Sequence, residues 1–325
     1  FNDIVGPTMI GPSSSHTCAP SRIGFLAQQF LPGQLKKATI TFAKDGAYTL
    51  MYKGQRSDMG YVNGLLGRHP EDPRLRDSFA EAKKAGVEIS FVIEDFPPVR
   101  PNISRLNLEN TKGEQVELYS DSTGGGTVRL MSFNGYDVDI VGDCYELILL
   151  TSCGREGSEH ILEEALKFVG ANEGTSVSAK EESGLVNIKT RTEHTEEFLE
   201  QLRNVEGVSE VKEIHPILTV LSNRHADIPF ASAEEMLAYG DETGKELWEL
   251  GVEYEMARSG WSRQRVMEYM EYVVDTMENS AIEGLKGEGD MSGIISPTSG
   301  KVEAYIKQQP SALDMGVLNT VVPWS

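Results

Sequence analysis

Apolar positions alternate with polar ones in KATITFA (37–43) and VEISFVIED (87–95), the period-two signature of strands with one buried face. NISRLNLENTKGEQVELYSDST (102–123) carries the same alternation on both sides of Lys112-Gly113, which predicts a hairpin. Helical spacing is seen in SRIGFLAQQFL from Ser21, around Met59 to Leu66, and in DSFAEAKKAG, which closes at Gly86. Beyond Cys144 the rhythm changes: CYELILLTS reads as a strand, SEHILEEALKFVGA as a helix, and TSVSAKEE and LVNIKTR as paired strands across Ser183-Gly184. TEEFLEQLRNVEGV is a second helix and SEVKEIHPI a last strand. That βαββαβ order predicts a ferredoxin-like module. From Ile217 the pattern is helical, with a capping-box spacing at Ser232 and Glu235. A long amphipathic helix starts near Ser262 and is expected to bury Val266, Met270, Val273, Val274 and Met277 on one face. The fold class is therefore α/β (α+β) with three parts: 1–143 mixed α/β, 144–216 ferredoxin-like, and 217–325 helical.

Composition narrows the function. The 325 residues carry a formal charge of −20. Such a field repels phosphate backbones and anionic lipid, so neither a nucleic acid nor a membrane surface is expected as a partner. No apolar run approaches the roughly 20 residues that span a bilayer. Cys18, Cys144 and Cys153 make no even disulfide framework, which favours a reducing, cytoplasmic setting and buried inert thiols. The opening Phe and the apolar ending VLNTVVPWS lead us to expect a chain that continues beyond both printed ends.

The chemistry concentrates in GPSSSHT, Gly11 to Thr17. Successive small residues can turn backbone N–H groups and hydroxyls into one concavity suited to a carboxylate or phosphate, and a following helix dipole adds to that attraction. His16 supplies a group able to hold or release a proton near neutrality. The alternative for Ser13, Ser14, Ser15, His16 and Thr17 is a polar helix cap. Gly124, Gly125 and Gly126 are likewise either a tight turn or the close-approach wall of a ligand pocket. Nucleophile-elbow, phosphate-loop and HExxH zinc patterns are missing, and His69, His160, His194, His215 and His225 are scattered.

GPTMIGPSSSHT, followed by a small-residue helix with Arg22 and Gly24, resembles the opening of the β chain or β-like domain of the iron–sulfur-dependent L-serine dehydratases (L-serine ammonia-lyases). YKGQRSDMGYVNGLLG (52–67) and YSDSTGGGTVRL (119–130) extend the resemblance. FASAEEMLAYGDETGKELWEL and MSGIISPTSGKVEAYI look like the start of the family's α chain, as in single-chain members. The resemblance implies β-elimination of water from L-serine, giving pyruvate and ammonia, with a [4Fe–4S] cluster as Lewis acid. The cluster's cysteine ligands would lie outside this sequence, so no metal ligand is assigned within it. The serine run and the glycine triplet would bind the substrate, His16, Lys53 and Asp58 would serve catalysis, and the chain would pair as a homodimer. The middle module would be ACT-like and regulatory, although TSCGREGSEHI lacks the Pro-Gly turn common in such modules. Gln55 stands where the family carries a proton-transferring histidine, which leaves room for a lyase acting on another β-substituted amino acid. A non-catalytic amino-acid-binding module of the same fold is the remaining alternative.

Overall fold

The computed structural model describes residues 1–2, 5–96 and 100–286. Its opening helix, α1 (Ala19–Gln28), leads into the first strand of a six-stranded sheet: β1 (Leu35–Ala43), β2 (Glu88–Glu94), β3 (Ile103–Asn110), β4 (Gln115–Gly124), β5 (Thr127–Phe133) and β6 (Tyr136–Ile140). The order is β2-β1-β3-β4-β5-β6, with β1 and β2 parallel and the other neighbours antiparallel. The parallel pair needs a crossover; it is made by α2 (Ala47–Met51), α3 (Ser57–Leu65) and α4 (Ser78–Lys84). The alternation in the sequence decides the inward face. Ala38, Ile40, Phe42, Leu106, Leu108, Val116 and Leu118 are buried in one cluster with Ile23, Leu26, Tyr61 and Val62 from α1 and α3. Each large side chain of this kind contributes about 1.5–3 kcal/mol by leaving water.

Glycine sets the distance between α1 and α3. A Cβ on Gly64 would collide with the Ser21 carbonyl and the Phe25 amide, and one on Gly60 with the Thr17 carbonyl. The two helices therefore touch backbone to backbone. This contact places the end of the serine run beside the start of α3.

The second sheet contains β7 (Tyr145–Thr151), β8 (Gly174–Ala179), β9 (Gly184–Thr190) and β10 (Val208–Ile214) in the order β10-β7-β9-β8, all antiparallel. α5 (Arg155–Val169) and α6 (Glu196–Arg203) connect its strands. They share a core with Leu147, Leu149, Val186 and Ile188. The alternate residues Ile148, Leu185 and Ile214 join the core of the first sheet instead. Every residue of β9 is consequently buried.

That inner face also carries charge. Lys189 Nζ lies 3.2 Å from Glu146 Oε1 and donates to the Asp139 carbonyl of β6 at 2.5 Å, while Asn187 Nδ2 donates to Glu146 Oε2 at 2.9 Å. Burial pushes the Glu146 carboxyl up to about 7, with the Lys189 charge and the Asn187 bond pulling the other way.

Helices α7 (Ala233–Thr243), α8 (Leu247–Ser259) and α9 (Arg263–Lys286) follow. Ser232 caps α7 through the Glu235 amide, as the spacing predicts. The Glu235 carboxylate, however, accepts from Ala231 N rather than from Ser232 N, one residue outside the expected box. The face expected for α9 needs a larger correction. Val266 and Val273 are buried, whereas Val274 and Met277 are each 53% exposed. The described neighbours cover a stripe narrower than the apolar one. The motif MSGIISPTSGKVEAYI and the ending VLNTVVPWS lie outside the described residues. Among the described residues no helix is long and apolar enough to cross a membrane.

Candidate functional site

The serine run is wound, not extended. Sequence spacing puts the helix start near Ser21, but a π-helical turn already spans Ser14–Cys18 and runs directly into α1. Ser13 caps it: its hydroxyl accepts from His16 N at 3.1 Å. Ser13, Ser14, Ser15 and His16 are half-buried and Thr17 is fully buried, so none of the five stands out in bulk solvent.

Each side chain has a distinct surrounding. The Thr17 hydroxyl donates to the Gln55 carbonyl at 2.7 Å, tying the turn to the segment before α3. Ser15 Oγ lies 2.9 Å from His16 Nδ1 and 3.4 Å from Ser13 Oγ. The Ser15 carbonyl accepts two hydroxyls, Tyr48 Oη at 3.2 Å and Ser122 Oγ at 3.1 Å. Ser14 Oγ makes no hydrogen bond among the described residues. His16 Nε2 is buried and has no partner among them either. Burial holds the imidazole below its ordinary range, which keeps it neutral at physiological pH. Buried polar atoms are almost always bonded, so an imidazole nitrogen with no partner among the described residues is available to a ligand's polar group.

The glycine triplet forms the turn between β4 and β5, all three residues with positive φ. Gly126 alone is buried: a Cβ there would meet Pro7 and the Cys18 sulfur. Its carbonyl accepts from Arg22 Nη1 at 2.7 Å. Arg22 is a buried guanidinium whose Nε is unpartnered, and no carboxylate lies within ion-pair distance of it among the described residues. Gly124 and Gly125 face outward, Gly125 being exposed. Only one residue of the triplet, then, contacts the segment around the serine run.

Lys53 and Asp58 are not bonded to the serine turn. Lys53 is exposed, its Nζ 5.7 Å from the centre of the Tyr52 ring. Asp58 opens α3 and accepts from Met59 N at 2.8 Å. Burial raises its carboxyl above the usual range, and the Lys53 charge opposes that shift. Gln55 bonds Met51 Sδ through its amide and takes part in the site only through its backbone carbonyl.

Two residues that spacing did not single out belong here. Ser122 continues the inward series Val116, Leu118, Ser120, and a hydroxyl at a core position of a strand is the signal that identifies it. Tyr48 lies on the short α2, where no periodicity distinguishes it. Behind them Tyr61, Ser104 and Ser120 bond in a chain, with both O···O distances 2.7 Å.

The described residues do not fit an iron–sulfur cluster. A cluster requires thiolates, and burial pushes the Cys18 thiol up to about 11 and the Cys144 thiol up to about 12. Cys153 is only partly buried, contrary to the expectation of three buried thiols. No group of three or more His, Cys, Asp or Glu among the described residues is placed to hold a metal ion.

The chain is 30% identical over 215 residues to the probable L-serine dehydratase, beta chain, of Bacillus subtilis (strain 168), a match covering 65% of this chain and 96% of that protein. The chain belongs to the L-serine dehydratase beta-chain family. It is also 31% identical over 149 residues to the L-serine dehydratase, beta chain, of Peptoniphilus asaccharolyticus, covering 46% of this chain and 66% of that one. No protein-family model matches the chain.

Proposed function

We propose that this chain carries the substrate-binding and proton-handling share of an L-serine dehydratase, which eliminates water from L-serine to give pyruvate and ammonia. The observation that carries this reading is His16 itself: neutral, braced at Nδ1 by Ser15, and open at a buried Nε2. In this reading Ser13, Ser14, Ser15 and Thr17, with Gly126 behind them, hold the carboxylate. The Ser14 hydroxyl and the amides of Ser14 and Ser15 are the donors, since the amides of Ser13, His16, Thr17 and Cys18 are already bonded within the turn. His16 exchanges a proton with the substrate through Nε2. Lys53 and Asp58 set the field at the start of α3, and Gly124 and Gly125 shape the rim.

The cluster implied by the family resemblance does not fit the described residues. The helical part resembles the opening of the family's α chain, which supports a single-chain form. The antiparallel order β10-β7-β9-β8 supports a ferredoxin-like, ACT-like module at 144–216. One observation favours a variant of the reading: Gln55 cannot accept a proton where the family carries histidine, so another β-substituted amino acid is a second substrate to assay.

The test is pyruvate formation by the complete enzyme, purified anaerobically, with L-serine and with other β-substituted amino acids. Replacing a general acid–base group typically lowers turnover about 10²–10⁴-fold, and H16A should fall in that range. S14A should weaken binding of L-serine in calorimetry. H16A at wild-type turnover together with S14A at wild-type affinity would reduce the turn to a helix cap.

A further inference from the structure

We propose that Tyr48 and Ser122 are positioning residues that clamp the Ser15 carbonyl and thereby hold His16 with its Nδ1 on Ser15 and its Nε2 open; the inference rests on the reading of His16 given above. The two hydroxyls reach one oxygen from different parts of the fold. Tyr48 comes from α2, and Ser122 comes from β4, 107 residues away along the chain. A carbonyl has two lone pairs, and here each takes one hydroxyl. Both donors are buried, so neither bond competes with bulk water. Ser15 is thereby fixed through its backbone, and its own Oγ meets His16 Nδ1 at 2.9 Å. A ring nitrogen held by a fixed neighbour sets the imidazole's orientation and tautomer.

Tyr48 acts a second time through packing. Its ring meets that of His16 edge-on, with centroids 5.1 Å apart, and stacks at 5.0 Å on Phe42 from β1. The imidazole thus leans on the core of the six-stranded sheet. Tyr48 is the titratable group in contact with His16. Tyr61 and Asp121 lie beyond it, and no charged side chain among the described residues is within ion-pair distance of His16. Desolvation governs the ring, so loosening the clamp has one expected direction: water enters and the midpoint rises toward the ordinary histidine value.

The experiment is an NMR titration of the six histidine rings in the full chain, with the His16 resonance assigned by its loss in H16N. In the wild type, His16 should titrate below the ordinary value of about 6.5. Y48F and S122A should each move it upward, toward that ordinary value, as burial is relieved. I40V, which loosens the same core but keeps both hydroxyls, should leave it in place. S122T retains a hydroxyl and should also hold the wild-type midpoint, which keeps the clamp testable if Y48F does not fold. In the complete enzyme, Y48F and S122A should lower kcat more than they change KM, and the acid limb of the pH profile should shift with the NMR midpoint.

Unmoved midpoints in Y48F and S122A overturn the clamp. An equal shift in I40V also overturns it, because general packing then accounts for the effect. The two readings separate cleanly. Shifted midpoints with an H16A enzyme at full turnover would sink the role of His16 and leave the clamp standing. An inactive H16A with unmoved midpoints would do the reverse.

Discussion

Each sheet of this protein buries a polar cluster, and the two clusters are finished differently. Between the sheets, Glu146 has both carboxylate oxygens bonded, and Lys189 meets that carboxylate and a backbone carbonyl. Around the serine turn the network stops short: Ser15 is held from two sides, yet the buried His16 Nε2 has no partner among the described residues. A closed cluster is a structural joint, since every buried group already has its partner. An open one retains a desolvated atom whose unmet hydrogen bond is worth about 1–3 kcal/mol to whatever satisfies it. That difference, rather than burial or charge alone, separates the candidate site from the joint.

The sharpest way to break the comparison is to open the closed cluster. Lys189→Met leaves Glu146 without its counter-charge, and such losses cost about 3–5 kcal/mol. Urea unfolding should show that loss at pH 8 and a smaller one near pH 6, where Glu146 can take up a proton. A full-sized loss at both values would mean that Glu146 does not titrate in this range.

The next test concerns the backbone contact that carries the serine turn. G64A places a methyl group against the Ser21 carbonyl, and overpacking of this kind costs about 1–3 kcal/mol. Thermal melts should record it, while the same change at the open, helical Gly251 should be neutral or slightly stabilising.

A third test follows from the Glu146 carboxyl, raised from 4.5 to about 7 in the folded chain. A carboxyl raised on folding favours the native state while protonated. Its contribution is present in full below about pH 4.5 and is lost as pH climbs through 7. E146Q lacks this term, so wild type should lose stability relative to E146Q across that window. A constant difference between the two would place the Glu146 carboxyl at its ordinary value. Turnover should be unchanged in E146Q, because the joint touches no group of the serine turn.

The smallest effect is expected at α6, where Thr195 caps the helix through the Phe198 amide. T195A should cost about 1 kcal/mol, the usual worth of an N-cap. It should leave the His16 titration unmoved.

Strands were legible wherever one face meets the core. The alternation in KATITFA and in the 102–123 hairpin put Ile40, Phe42, Leu106 and Leu118 inward, and the structure buries all four. The same rule misled on α9, because its apolar stripe is wider than the surface the described neighbours cover, and Val274 and Met277 stay exposed. For the serine turn, residue type pointed to the right place but spacing set the helix start several residues late. Hydroxyl-rich segments read as loops, and a π-helical turn has no periodic signature of its own. Lys53 and Asp58 came from local resemblance, which carries no information about which side chains face one another.

The sequence by itself determined the mixed α/β character, the strand pairs and the concentration of hydroxyls ahead of α1, because these follow from periodicity and residue chemistry along the chain. Only the tertiary structure decided that Tyr48 and Ser122 converge on Ser15, that Gly60 and Gly64 bring α3 against α1, and that His16 keeps one nitrogen open. Those outcomes depend on distances between segments tens of residues apart, and a local pattern cannot encode a meeting whose energy arises only once both partners leave water.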